Sequence, residues 1–158
     1  MKTSKLLYGL SLLALTLGFV SCSDNEEGSG LIKPVKMEDE IAQTIYTELP
    51  IVFSGTKTET VIVINSIEKL REVFGDKANL LTGIDFNTCT LIVGFIWTPS
   101  SGWLLEKQEI DYTEGVPMLD LYLREPDGGN FPAFSKLFYG GIYPQIQTKE
   151  LRINKIKE

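Results

Sequence analysis

No histidine occurs in this chain of 158 residues, and only two cysteines do. Without histidine, the chain has no Ser-His or Cys-His nucleophile pair and no metal site that uses an imidazole. Two cysteines are too few for a cysteine metal cluster. The sequence therefore predicts a protein without metal, cofactor or catalytic residues.

Basic residues are also scarce, because 15 Lys and Arg stand against 21 Asp and Glu and give a formal charge of −6. Residues 1–21 contain Lys2 and Lys5 and no acidic residue, so residues 22–158 carry −8. Nucleic acids need clustered Lys and Arg to neutralise their phosphates. The charge balance therefore excludes nucleic acid as the predicted partner.

An apolar run from Leu6 to Val20 follows the two lysines. A run of about 15 residues suits an export signal and is shorter than the ~20 residues of a spanning helix. With Ser21 and Cys22 behind it, the run resembles a bacterial lipoprotein signal, although Phe19 stands where an aliphatic residue is usual. The resemblance implies that residues 1–21 are a cleaved signal peptide and that Cys22 receives palmitate-type acyl chains. A short uncleaved anchor helix and ordinary secretion are the alternatives.

The residues after Cys22 are acidic, with Ser23 to Glu27 reading Ser-Asp-Asn-Glu-Glu. This segment is similar to the signal that sends some Gram-negative lipoproteins to the cell surface. It implies a surface-exposed lipoprotein of the outer membrane, held in the cell envelope by its lipid. Gly28-Ser29-Gly30 and Pro34 predict that residues 22–36 form a flexible linker and that one globular domain spans residues 37–158.

Periodicity predicts an α+β domain with a mostly antiparallel sheet of six or seven strands and one main helix, about Ser66–Phe74. Cys89, within the most apolar run, is predicted to be a small buried hydrophobe. Ile41 and Ile45 fit either a short helix or an extended segment. Residues 124–141 are predicted to form a long loop in which aromatic residues share one helical face. The predicted strands cover residues 60–64, 89–97, 104–110, 119–123, 143–147 and 151–156.

The turn between two of these strands is the best candidate for a binding site, because it carries both tryptophans. A proline can stiffen such a turn, a glycine can take a positive φ angle, and tryptophan gives a large rigid contact surface. The alternative is that one tryptophan caps the core while the other covers a sheet edge. The candidate binding residues of the turn are Trp97, Pro99, Ser100, Gly102 and Trp103.

A second candidate surface is an aromatic patch in the C-terminal third of the chain. Its predicted members are Phe131, Phe134, Phe138, Tyr139 and Tyr143, and if they are exposed they would join Trp103 as one binding surface. The alternative is a loop folded over an exposed end of the core.

The order of short motifs is similar to the C-terminal domain of protease-complex accessory (PrcB-like) proteins. The motifs are Ile84-Asp85-Phe86 before the central strand, the turn Thr98–Trp103 after it, and Tyr143-Pro144 near the final strand. The turn departs from the family pattern at Ser101, where glycine is frequent, and at Trp103, where the family has tyrosine. The resemblance implies a non-catalytic, protein-binding lipoprotein module.

These observations predict a lipid-anchored envelope protein that binds a macromolecule, with an envelope or secreted protein favoured as partner. One alternative is glycan binding at the same aromatic surface. Another is a protease inhibitor similar to chagasin, acting through the loop Thr98–Trp103, where Thr98 replaces the family's asparagine. An enzyme that uses carboxylates alone is the third. Its candidate acids would be Glu106, Glu109, Asp111, Glu114 and Asp120.

Overall fold

The computed structural model describes residues 30–112, 116–128, 133–148 and 150–158. Within these residues the fold is α+β, with two α-helices and seven strands in two mostly antiparallel sheets, which confirms the predicted fold class. In chain order the elements are β1 (Leu31–Ile32), α1 (Asp39–Val52), β2 (Thr60–Ile64), α2 (Ile67–Phe74), a 3₁₀ segment (Gly75–Leu81), β3 (Cys89–Thr98), β4 (Leu104–Asp111), β5 (Met118–Arg124), β6 (Ser135–Pro144) and β7 (Arg152–Lys157).

The strands form one sheet in the order β1-β4-β5-β7 and another in the order β2-β3-β6. Neighbouring strands are antiparallel, except that β7 runs parallel to β5. β3 is the central strand of the smaller sheet and, as predicted, is buried on both faces. Its alternation sends Leu91 and Phe95 toward the helices and Ile92 and Ile96 toward the larger sheet. The result is three layers with two apolar cores: a helix-side core and a sheet-side core.

The helix α2 forms for the reasons that the sequence indicates. Ser66 precedes it in an extended conformation, and its hydroxyl accepts a hydrogen bond from the Lys69 backbone N–H at 3.2 Å. Leu70 and Phe74 are buried on one face. Gly75 ends the helix with φ +56°, a backbone conformation that favours glycine.

The segment that the sequence left undecided is the longer helix, α1. Ile41, Ile45 and Leu49 recur every fourth residue, and all three are buried in the helix-side core. The helix continues through Pro50, which lies in its last turn. Proline costs the helix one backbone hydrogen bond there, and only two further residues follow before the helix ends.

The predicted loop at residues 124–141 is partly wrong, because β6 already begins at Ser135. The strand replaces the predicted helical face: Phe138 pairs with Phe95 of β3, and Phe134 precedes the strand. The sequence did not predict this strand because the pair Gly140 and Gly141 is more typical of a loop. A side chain at Gly140 would press on Ile45 Cγ2 at 3.1 Å, so glycine here serves close packing of α1 on the sheet.

The predicted linker is also too long. β1 pairs with β4, the Tyr112 N–H donates to the Gly30 carbonyl at 2.9 Å, and Val35 bridges Ile142 of β6. The folded domain therefore includes residues 30–36, and it begins before the predicted start at Met37. Cys22 and the rest of residues 1–29 lie outside the described residues.

Candidate functional site

The tryptophan-bearing turn lies at one end of the three layers. β3 ends at Thr98 and β4 begins at Leu104, while β5 ends and β6 begins at the same end. We call this end the turn end. The chain enters β1 beside Asp111, at the opposite end of β4. β4 has 8 residues, so about 24 Å separates the two ends.

The turn is held from within by two hydroxyl side chains. Thr98 is 3% exposed, and its hydroxyl donates toward the Ser100 and Ser135 carbonyl oxygens, at 2.9 and 3.1 Å. Ser100 is 2% exposed, and its Oγ accepts a hydrogen bond from Trp103 Nε1 at 3.2 Å. Of the predicted turn residues, Ser100 is therefore a support inside the turn, whereas Pro99 is exposed.

Trp97 is also engaged by its own chain. Its backbone N–H donates to Glu59 Oε1 at 2.8 Å, and its Nε1 donates to the Lys57 carbonyl at 2.9 Å. The ring meets Phe95 edge-on, with centroids 5.9 Å apart. Trp97 packs on the helix-side core and Trp103 on the sheet-side core, and both are half-buried. The two tryptophans thus share the turn but belong to different cores.

Lys136 is a residue that the sequence did not single out. Its Nζ donates to the carbonyl oxygens of Phe53 and Thr56, each at 2.6 Å, just beyond the C-terminus of α1. The ammonium also lies 4.3 Å from the Phe95 ring and 5.4 Å from the Trp97 ring. No sequence signal could have found it, since its partners are about 80 residues away along the chain.

Gly102 takes φ +89°, as the turn chemistry predicts. It also packs closely, because a Cβ at this position would lie 3.1 Å from Pro126 Cβ. The loop after β5 therefore rests on the turn, and the two together form the surface of the turn end.

The aromatic candidates do not form one patch. Phe134 is 80% exposed at the turn end, and Phe131 lies outside the described residues. Tyr139 and Tyr143 are buried in the sheet-side core, so their predicted place on an exposed surface is wrong. Strand alternation in β6 turns both rings toward the larger sheet. Burial raises the pKa of each phenol, and the Tyr139 hydroxyl donates to the Thr60 carbonyl at 3.0 Å.

Charged side chains at the turn end pair with one another. Arg124 contacts Glu106 and Asp127, Lys157 contacts Glu125, and Lys155 Nζ lies 2.8 Å from Glu59 Oε1. Lys157 also sits 5.8 Å from the Trp103 ring centroid. The exposed Phe134 side chain therefore lies among ion pairs and not beside a surface that carries charge of a single sign.

The carboxylates named as possible catalytic acids lie along β4 and β5, apart from Glu114, which is outside the described residues. Glu109 and Asp120 face each other across these strands, and both are buried. Lys107 Nζ lies 2.8 Å from both Glu109 oxygens, and Asn154 Nδ2 donates to Asp120 Oδ1 at 2.8 Å. Each of these two carboxylates is therefore bound by another side chain of the same domain.

Glu109 and Tyr122 shift each other's titration. The Tyr122 hydroxyl donates to Glu109 Oε1 at 2.8 Å, and this bond raises the pKa of Tyr122 to about 12. Desolvation opposes ionisation of Glu109, but hydrogen bonds from Lys107 and Tyr122 outweigh it and hold the pKa of Glu109 below its usual value. Glu109 is therefore an ionised structural carboxylate at neutral pH.

The described residues contain no group of three or more His, Cys, Asp or Glu side chains placed to hold a metal ion. No helix among them is long and apolar enough to cross a membrane.

No family model, curated protein or solved structure matches this chain. The likeness to PrcB-like domains remains a prediction that rests on the short motifs alone, as does the likeness to chagasin.

Proposed function

We propose that this chain is a lipid-anchored protein of the cell envelope. Its domain binds a protein partner at the turn end and catalyses no reaction. The observation that carries the proposal is the apolar run ending in Ser21-Cys22, followed by an acidic segment. The fold supports it, since the chain enters the domain at the end opposite the turn. A domain anchored through Cys22 would present Phe134 and Pro99 away from the lipid.

The mass of the mature N-terminus tests the anchor. Lipidation predicts a chain that begins at Cys22, carries a diacylglyceryl thioether and partitions into detergent. Cys22→Ser should abolish both properties, and Cys89→Ser should leave them intact. A mature chain that carries no lipid at Cys22 and partitions into buffer would overturn the anchor.

The partner surface is tested by crosslinking in intact cells. Phe134→Ala removes the most exposed aromatic side chain of the turn end, and Leu80→Ala is the matched control, with 61% exposure beside α2. We expect Phe134→Ala to lower recovery of the crosslinked partner at least tenfold, as for a contact worth more than 1.4 kcal/mol. Equal recovery from both variants would exclude the turn end.

Glycan binding is less well supported by the geometry. Sugars stack on open indole faces, whereas here Lys136 lies over the Trp97 ring and Lys157 over the Trp103 ring. Both indole N–H groups also donate within the chain. A glycan array on the wild-type protein tests this alternative, and a positive array would favour it over a protein partner.

A further inference from the structure

The two sheets have four edge strands, and three of the four edges are protected. β1 is only two residues long. β7 carries basic side chains along its length, Arg152, Lys155 and Lys157, all of them exposed. The β6 edge is covered by Val35, which bridges Ile142. β2 is the fourth edge, and Thr60–Ile64 contains no charge, no proline and no bulge.

The hydrogen-bond pattern shows which groups of β2 face outward. The Gly140 carbonyl accepts from Gln108 Nε2 at 2.7 Å and from the Tyr46 hydroxyl at 3.2 Å, so it points away from β3. In an antiparallel ladder its partner Val93 must then point toward β2 and pair with Ile62.

Because outward and inward residues alternate, the backbone N–H and C=O groups of Val61 and Val63 point away from the sheet. The direction of the Trp97 backbone N–H supports this assignment. This N–H lies just beyond the β2–β3 ladder, points to the β2 side and donates to the Glu59 carboxylate. Among the described residues, no strand pairs with β2 on this outer side.

We infer that β2 accepts an extended segment of a partner protein as an added strand, through Val61 and Val63. The inference rests on the proposed function and adds a second contact surface for the same partner, the β2 edge, to the turn end. The added strand would have apolar side chains on the face toward Ile62 and Val73, which are half-buried at the helix-side core. Its other face would lie toward β7, where the exposed Arg152, Lys155 and Lys157 outnumber Glu59 and Glu125, the two carboxylates that pair with these lysines, and this favours acidic side chains.

The length of the linker before β1 favours a segment of a partner protein over a second copy of this chain. Two identical β2 edges related by a two-fold axis pair antiparallel, so one domain would stand inverted relative to the other. Eight residues, Ser23 to Gly30, join Cys22 to β1, and their full reach is about 30 Å. In an inverted copy, this linker would have to extend along the length of its own domain before Cys22 could reach the same membrane.

Residue-resolved hydrogen exchange on the full mature chain in detergent micelles tests the inference. The probe is a capped seven-residue peptide of alternating valine and glutamate at about 1 mM, which suits a weak interaction. In the protein alone, the amides of Ile62 and Ile64 should exchange slowly and those of Val61 and Val63 rapidly. The peptide should slow Val61 and Val63 at least tenfold, and a peptide with lysine in place of glutamate should not.

Val63→Pro removes an outward N–H without touching the β2–β3 ladder, and Val63→Thr is the matched control that keeps it. We expect the proline variant to lose the peptide effect at Val61 and the threonine variant to retain it. Unchanged slow exchange in β3 would show that both variants fold.

Three results would overturn the inference: slow exchange of Val61 and Val63 in the protein alone, equal action of the two peptides, or an unimpaired Val63→Pro. A dimer in sedimentation whose β2 amides are protected would replace the partner with a second copy. The mass of the mature N-terminus is measured separately, so failure of the added strand and failure of the anchor are distinguishable.

Discussion

Gly94 has the least room for a side chain among the glycines in the described part of the chain. It lies in the middle of β3, and a Cβ there would overlap the Thr60 carbonyl oxygen and the Tyr139 hydroxyl. Tyr139 cannot move aside easily, because its hydroxyl donates to that same carbonyl and its ring is buried. Glycine at this position lets the Tyr139 side chain cross β3 to reach β2.

We therefore expect Gly94→Ala to lower the free energy of unfolding by about 3 kcal/mol, at the upper end of overpacking costs. Urea denaturation followed by far-UV circular dichroism measures it. Gly55→Ala is the control, since no atom lies within 4 Å of a Cβ at that position. A Gly94→Ala protein as stable as the Gly55→Ala protein would contradict the described path of Tyr139.

Glu109 gives the fold a dependence on pH. Its pKa is held below the ordinary value of 4.5, so its contribution to stability is complete above that value and is lost as pH falls through the lower, folded pKa. We expect Glu109→Gln to cost about 2 kcal/mol at pH 7, as for hydrogen bonds to a charged group.

The same comparison should give a smaller difference at pH 3, because Glu109 of the unfolded chain is then protonated and part of its contribution to folding is lost. Urea denaturation of both proteins from pH 3 to pH 7 checks the sign. A difference that stays constant over this range would show that Glu109 is not the titrating group.

At the scale of elements, α1 contains a residue that works against it. Pro50 is exposed in the last turn of the helix, where it supplies no backbone donor. Pro50→Ala should raise stability by about 1 kcal/mol, a fraction of the ~3 kcal/mol that proline costs inside a helix. Thermal unfolding measures the gain, and Thr47→Ala, an exposed position of the same helix, is the control. A loss of stability would indicate that the Pro50 ring packs usefully.

Elements with a strong local signal were predictable from the sequence. The Ser66 cap, the apolar stripe and Gly75 locate α2, and the apolar run at Cys89 locates β3. β6 was missed because its paired glycines read as a loop, although they serve packing against Ile45 and Tyr143. The linker was overextended because β1 is only two residues long and forms by pairing with a distant strand.

The candidate site was predictable in outline and not in detail. Proline, glycine and tryptophan marked the turn, and Gly102 took the expected positive φ. Exposure was misjudged for Tyr139 and Tyr143, since strand alternation rather than helical spacing governs that segment. The roles of Lys136 and Glu59 depend on contacts between remote segments, which no local pattern encodes.

At the scale of the whole molecule, the small sheet belongs to both cores. β3 and β6 supply residues to each, so neither core can form without them. This shared layer predicts a single cooperative unfolding transition.

The two tryptophans can test this cooperativity, because Trp97 reports the helix-side core and Trp103 the sheet-side core. Trp97→Phe and Trp103→Phe each leave one fluorescent probe. In both variants, the urea transition seen by fluorescence should coincide with that seen by far-UV circular dichroism. Separate midpoints for the two probes within either variant would mean that the layers melt independently.

The entry of the chain at Gly30, opposite the turn, has a consequence for purified material. If Cys22 is lipidated as we propose, neighbouring molecules in one leaflet share one orientation, so the β2 edges of their small sheets meet only in the same sense. Removal of the lipid anchor leaves the molecules free to rotate, and antiparallel pairing of Thr60–Ile64 between two copies becomes possible. Preparations stripped of lipid should thus cloud or gel on concentration sooner than the anchored form does.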